Sequence, residues 1–148
     1  MLLELTEGFF QRHWQDAFGA VPEWCEPWPI NSQGPVPNGE RQGCYCLFQN
    51  ATPIYVGLGA SRGSGLYREH GIGKRLYSHV LRVDSSRGVV NNKGFYMPRE
   101  KWQHVTHLRT IGFPSGYGYL APALESFLLS QLPQSLSLHN TMRPGSSA

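Results

Sequence analysis

The chain has few cysteines, few charges and no long apolar run, and each shortage removes a class of explanation. No segment approaches the ~18 consecutive apolar residues of a membrane-crossing helix, so no membrane partner is expected. Of the three cysteines, Cys44 and Cys46 are separated by one residue, a poor basis for a disulfide framework and one that suits a reducing compartment. The pair also lacks zinc-site spacing, and no second pair accompanies it, so core cysteines are expected instead of a zinc site. His104 and His107 stand three apart in a segment read as strand, where they would face opposite sides and could not easily share an ion. Met1-Leu2-Leu3 is followed by Glu4 and Glu7 with no basic stretch, unlike a secretory leader, so a cytoplasmic location is expected. Six glycines between Gly57 and Gly73 do not follow the order of a nucleotide-binding phosphate loop. Neither an internal repeat nor a low-complexity tract is present.

What remains fits one folded domain over residues 1 to 148, with 40% hydrophobic and 16% charged residues. Leu2, Leu5, Phe9, Trp14 and Phe18 recur near helical spacing and predict an amphipathic helix over residues 2 to 18. Residues 21 to 40 hold five prolines with Trp24 and Trp28, which favours an extended, packed strap. Residues 1 to 40 thus precede a core over 41 to 148. Charge is segregated: residues 1 to 40 carry six acids and one base. From Arg62 to Arg109, ten of the thirteen Lys and Arg residues face only Glu69, Asp84 and Glu100, a local excess of seven positive charges. That stretch reads as a phosphate footprint, with Arg62, Arg68, Lys74, Arg82, Arg87 and Lys93 as nucleic-acid-binding candidates. Such contacts are salt-dependent and by themselves read no base sequence.

The runs 43 to 48 and 53 to 57 are strand-like, and Gln49, Asn50, Ala51 and Thr52 between them supply a polar turn. A symmetric hairpin centred near Asn50 places Tyr45 opposite Tyr55 with both phenols on one face, leaving Cys44, Cys46, Ile54 and Val56 to cover the core. Residues 71 to 83 have helical periodicity, with Ile72, Leu76, Val80 and Val83 as the apolar stripe and Arg75, His79 and Arg82 as a charged ridge beside it. Residues 84 to 100 read as a loop interrupted by a short apolar pair, and 103 to 111 as a third strand. Pro122 and Pro133 bracket a last helix with Leu124, Phe127, Leu128 and Leu132 inward. Glu125 is expected in its first turn, where the helix dipole favours an ionised carboxylate.

In order and chemistry these residues resemble the GIY-YIG nucleases. Gly43-Cys44-Tyr45 stands in place of the first signature and Tyr55-Val56-Gly57 in place of the second. Arg75 and His79 resemble the family's helix arginine and the His or Tyr one turn later, Glu125 its metal-binding glutamate, and Asn140 its late active-site asparagine. The likeness covers residues 43 to 140. The chain departs from the pattern in having Cys44 for a β-branched residue, a twenty-residue step from Tyr55 to Arg75, and Leu58 where many members have a lysine, for which Lys74 is the nearest substitute.

The resemblance implies an α/β (α+β) fold with a small, mostly antiparallel three-stranded sheet flanked by helices. It implies a metal-dependent endonuclease acting on DNA, with Glu125 holding Mg2+ or Mn2+ and Arg75 contacting the scissile phosphate. Tyr45 and Tyr55 would align a water whose proton passes to one of them or to His79. An unperturbed tyrosine titrates near pH ~10, so Arg75 and His79 would have to lower that value or relay the proton. A restriction-type or stand-alone mobile-element enzyme is the first reading. A structure-selective repair nuclease, a noncatalytic nucleic-acid-binding module of the same fold, and a structural subunit docking through the aromatic N-terminal segment are the alternatives. Association as a homodimer or with a protein partner stays open.

Overall fold

The run from Gly43 to Phe48 is buried at every position, so both of its faces have to be covered, and the rest of the fold supplies the two covers. The computed structural model describes residues 1 to 60 and 71 to 133. Helix α1 (Leu2–His13) is followed by a 3-10 turn at Asp16–Phe18 and the short strand β1 (Trp28–Pro29). The hairpin strands are β2 (Gly43–Gln49) and β3 (Thr52–Gly59), and helix α2 (Gly71–His79) comes after them. Four short strands, β4 (Leu81–Val83), β5 (Val89–Val90), β6 (Lys93–Gly94) and β7 (Tyr96–Pro98), precede β8 (His107–Gly112) and helix α3 (Ala121–Gln131).

The chain is therefore mixed α/β with three helices and antiparallel sheets among the described residues. The main sheet has the order β1-β8-β2-β3, one strand more than expected, because the strap contributes β1 to the outer side of β8. Two-stranded ribbons β4-β7 and β5-β6 lie beside it. Alternation along β2 sends Cys44, Cys46 and Phe48 to a core with α1 and α3, built around Phe9, Phe10, Ile111, Leu124 and Leu128. Tyr45 and Leu47 point the other way, to a core with Ile72, Leu76, Leu81, Trp102 and Leu108. The tyrosine face is thus a second core face, not a solvent face.

Several boundaries differ from expectation for local reasons. Helix α1 stops at His13 because Trp14 turns extended and packs edge-on against Phe10 and Phe18, with its indole N–H donated to the Gly19 carbonyl. Helix α2 stops at His79: Leu81 to Val83 pair with β7, and the Arg99 N–H takes the Val80 carbonyl at 2.7 Å. Arg82 therefore leaves the helical ridge for an exposed strand position. The expected loop from 84 to 100 holds a hairpin, with Asn91 and Asn92 both at positive φ between β5 and β6. The third strand begins only at His107, after a 3-10 turn at Glu100–Trp102.

The β2-β3 register is offset by two residues from the symmetric hairpin. Tyr45 is opposite Gly57, and Leu47 is opposite Tyr55. A turn centred between Asn50 and Ala51 supplies one residue of that offset and a bulge after Leu47 the other, and the bulge turns Ile54 into the same core as Tyr45 instead of the cysteine face. Tyr45 and Tyr55 stay on one face as a diagonal pair, with ring centroids 6.0 Å apart and planes 27° apart. The vacancy opposite Tyr45 has a clear use. A Cβ built at Gly57 would run into Tyr45 Cζ, Oη and Cε1, so the phenol lies across Gly57 and carries its hydroxyl over β3.

Gly57→Ala is accordingly expected to cost about 2 kcal/mol or more, since the ring is walled in and cannot give way. Gly8→Ala, in a helix with open space around it, should instead stabilise by up to about 1 kcal/mol. Thermal melts of the two variants should move in opposite directions; an unchanged melting temperature for Gly57→Ala would contradict the packing of Tyr45.

Candidate active site

Among the described residues strand β3 is one edge of the main sheet, and α2 and α3 both pack against it, from the Tyr45 side and the Cys44 side respectively. Side chains from the two helices can therefore meet past that edge. Arg75, on α2, is where they do so. Its guanidinium hydrogen-bonds the Tyr45 hydroxyl and acts electrostatically on both His79 and Glu125. Tyr45 is also hydrogen-bonded to the Tyr55 hydroxyl. Five residues separated in sequence thus converge on one place.

Supporting contacts fix each member. Tyr55 meets Trp102 edge-on at 5.1 Å, and the Trp102 indole N–H donates to the His79 carbonyl at 3.1 Å, tying hairpin to helix end. Arg99 donates from Nε to the Leu81 carbonyl at 3.0 Å and from Nη2 to the Tyr77 carbonyl at 2.7 Å, closing the C-terminal turn of α2. On the opposite face, Cys44 Sγ donates to the Ala121 carbonyl at 3.3 Å and also accepts from the Glu125 backbone N–H, so the unusual cysteine of the first signature anchors the turn that carries Glu125. Sequence reasoning missed the roles of Trp102, Arg99 and Cys44. Only Cys44 left a signal, as the odd residue in its motif.

The chain matches no family model, no curated protein and no solved structure.

The electrostatics revise two expectations. Glu125 is the fifth residue of α3, beyond the first turn, where the dipole has faded. Partial burial raises its pKa, and Arg75 pulls it part of the way back. The Tyr45 phenol, fully buried, is pushed far above its ordinary value chiefly by loss of water and next by Tyr55, and Arg75 opposes this without reversing it. Tyr45 is therefore a fixed hydrogen-bonding group and not a base. His79 moves the other way: desolvation first, then Arg75 and Arg99, hold its imidazole below the ordinary value and neutral at pH 7.

Among the described residues no group of three or more His, Cys, Asp or Glu side chains gathers to hold a metal. Glu125 is left as a single hard-oxygen donor, which suits a cation such as Mg2+ that keeps several of its waters. The basic footprint narrows. Lys74, Arg82 and Lys93 are exposed. Arg87 is exposed too, but it donates to the Asn31 carbonyl at 2.7 Å and lies 3.9 Å over the Phe95 ring, which holds its guanidinium against the strap. Asp84, a conceivable partner for Arg75, caps the Ser85–Arg87 turn through the Ser86 N–H and hydroxyl. Arg62, Arg68 and Asn140 lie outside the described residues.

Removing the Arg75 cation should make protons easier to hold throughout the cluster. Arg75→Ala is expected to raise the titration midpoints of both His79 and Glu125, read by NMR; midpoints that stay in place would separate Arg75 from these groups. Glu125 also makes a stability prediction. Its folded-state pKa lies above the unfolded one, so its full contribution is present below the ordinary value near 4.5 and is lost as pH rises through the folded value. Glu125→Gln, neutral throughout, should melt higher than the native chain at pH 7 and equally with it near pH 3.

Proposed function

We propose that the protein is a metal-dependent endonuclease that hydrolyses phosphodiester bonds in DNA, a member of the GIY-YIG class, and restriction-type or mobile-element-like. The observation that carries this reading is the convergence on Arg75 of Tyr45, Tyr55, His79 and Glu125, drawn from two strands and two helices. Chance surface residues would not be expected to meet in the order that the two signatures imply.

Each group has a task set by its environment. Arg75, a fixed cation beside two phenols, binds the scissile phosphate and stabilises the charge that develops on its oxygens. Tyr45 stays protonated because of its burial, donates a hydrogen bond and orients the half-buried Tyr55, whose hydroxyl positions a water in line with the bond to be cut. His79, exposed and neutral at pH 7, takes the proton from that water as its oxygen bonds to phosphorus. The bond from phosphorus to the 3′ oxygen breaks, and the leaving oxygen takes a proton from solvent. Glu125, kept ionisable by Arg75 despite its burial, would hold Mg2+ or Mn2+, which supplies Lewis-acid neutralisation at the phosphate oxygens. Lys74, Arg82 and Lys93 add sequence-independent phosphate contacts.

Purified protein should cut plasmid or branched DNA with Mg2+ or Mn2+ and not with EDTA, leaving 5′-phosphate and 3′-hydroxyl ends. Glu125→Gln and Arg75→Ala should each lower the single-turnover rate by about a hundredfold or more while DNA binding by Glu125→Gln survives. DNA binding without cleavage would favour a noncatalytic module; full activity of a folded Glu125→Gln would rule out the mechanism.

A further inference from the structure

Two adjoining cavities of about 530 and 360 Å3 lie between the strap, α2 and the β4-β7 region, and together they make a groove. They share the walls Pro35 and Tyr96. Tyr77, half exposed on α2, forms another side of the larger cavity, with Val36 beneath. Lys74 stands at one end of the groove and Lys93 at the other, and Glu40 is the acid at the rim. Both volumes are in the ~300–1,000 Å3 range of sites for small organic groups.

The walls are set in advance. The strap backbone at Gly34 lies against the Tyr96 ring so closely that a Cβ there would meet Cε2 at 2.7 Å, and Trp28 packs on the same ring at 6.1 Å. The crossing of strap and helix is equally tight. The Gly73 N–H donates to the Gly39 carbonyl at 3.0 Å, and a Cβ at Gly73 would meet that same oxygen at 2.9 Å. A preformed aromatic wall costs little entropy to use.

We infer that this groove binds two successive unpaired nucleotides of a DNA strand, the bases against Tyr77 and Tyr96 and the phosphates toward Lys74 and Lys93. Planar aromatic walls between cations match a polyanion that carries planar bases, and bases held against protein rings must have left their duplex stack. The Glu40 carboxylate accepts hydrogen bonds, which suits the ring and exocyclic N–H donors that a base exposes once it is unpaired. Lys74 and Arg75 are consecutive on α2 and point roughly 100° apart, so the groove and the candidate active site occupy different flanks of one helix. The inference rests on the nuclease reading for its biological setting and adds to it a preference for DNA that offers unpaired nucleotides.

Fluorescence anisotropy in EDTA, with a labelled single strand, a flap and a blunt duplex of equal length, tests binding apart from cleavage. The native protein should prefer the single strand and the flap, and Tyr77→Ala should weaken both by about tenfold with little change on the duplex. Amide shifts on adding a single-stranded pentanucleotide should centre on Gly73, Lys74, Gly94 and Tyr96 of the native protein. Equal flap affinity in Tyr77→Ala, or shifts confined to other surfaces, overturns the groove even if Mg2+-dependent cleavage is intact. Groove binding with no cleavage by the native chain leaves the groove standing and defeats the nuclease reading instead.

Discussion

The Tyr45 phenol lies across Gly57, and the candidate site depends on that one packing contact. Without a side chain at 57, the ring can reach over the edge strand and meet Arg75; with one, the hydroxyl would have to retreat into the sheet. The same contact explains why a tyrosine in the first strand and a glycine in the second occur together. They are cross-strand partners, the large residue filling the space that the small one leaves. It also explains the protonation state. A ring pressed onto backbone on one side and a core on the other has no water to stabilise a phenolate, and a single exposed guanidinium does not replace it.

Much of the architecture was legible because it follows from periodicity and turn chemistry. The hairpin, the helix with Arg75 and His79, and the last helix with its proline start are local patterns that three-dimensional context left intact. The errors have equally specific causes. A one-residue bulge after Leu47 has no signature in its own composition, yet it reset the register and moved Ile54 to the other core. Val80 and Val83 fit a helical stripe by spacing, but β7 offered the following residues a strand partner far along the chain, and the helix yielded. Glu125 was misplaced by less than one turn, which was enough to exchange a favourable dipole for an unfavourable burial.

Charge was the least transferable signal. Counting Arg and Lys along a segment located a basic region, but not which cations face outward. Arg87, Arg99 and Arg109 donate to the backbone carbonyls of Asn31, of Leu81 and Tyr77, and of Cys25 respectively. Guanidinium groups are suited to that role, since several donors in a rigid fork can serve carbonyls that regular structure leaves unpaired. A lysine count and an arginine count therefore carry different information about a surface, and here the exposed lysines are the better guide to it.

The packing of α1 against α3 joins an early segment of the chain to a late one, and Glu125 belongs to the late one. The hairpin itself is completed by later residues, since β2 pairs with β8 and Tyr55 packs on Trp102, so the cluster closes only when late elements dock onto early ones. Non-local closure of this kind is slow to form and open until its last element docks. No fragment that lacks α3 brings Glu125 to Arg75, so the cluster is a property of the whole described fold and of no smaller piece of it.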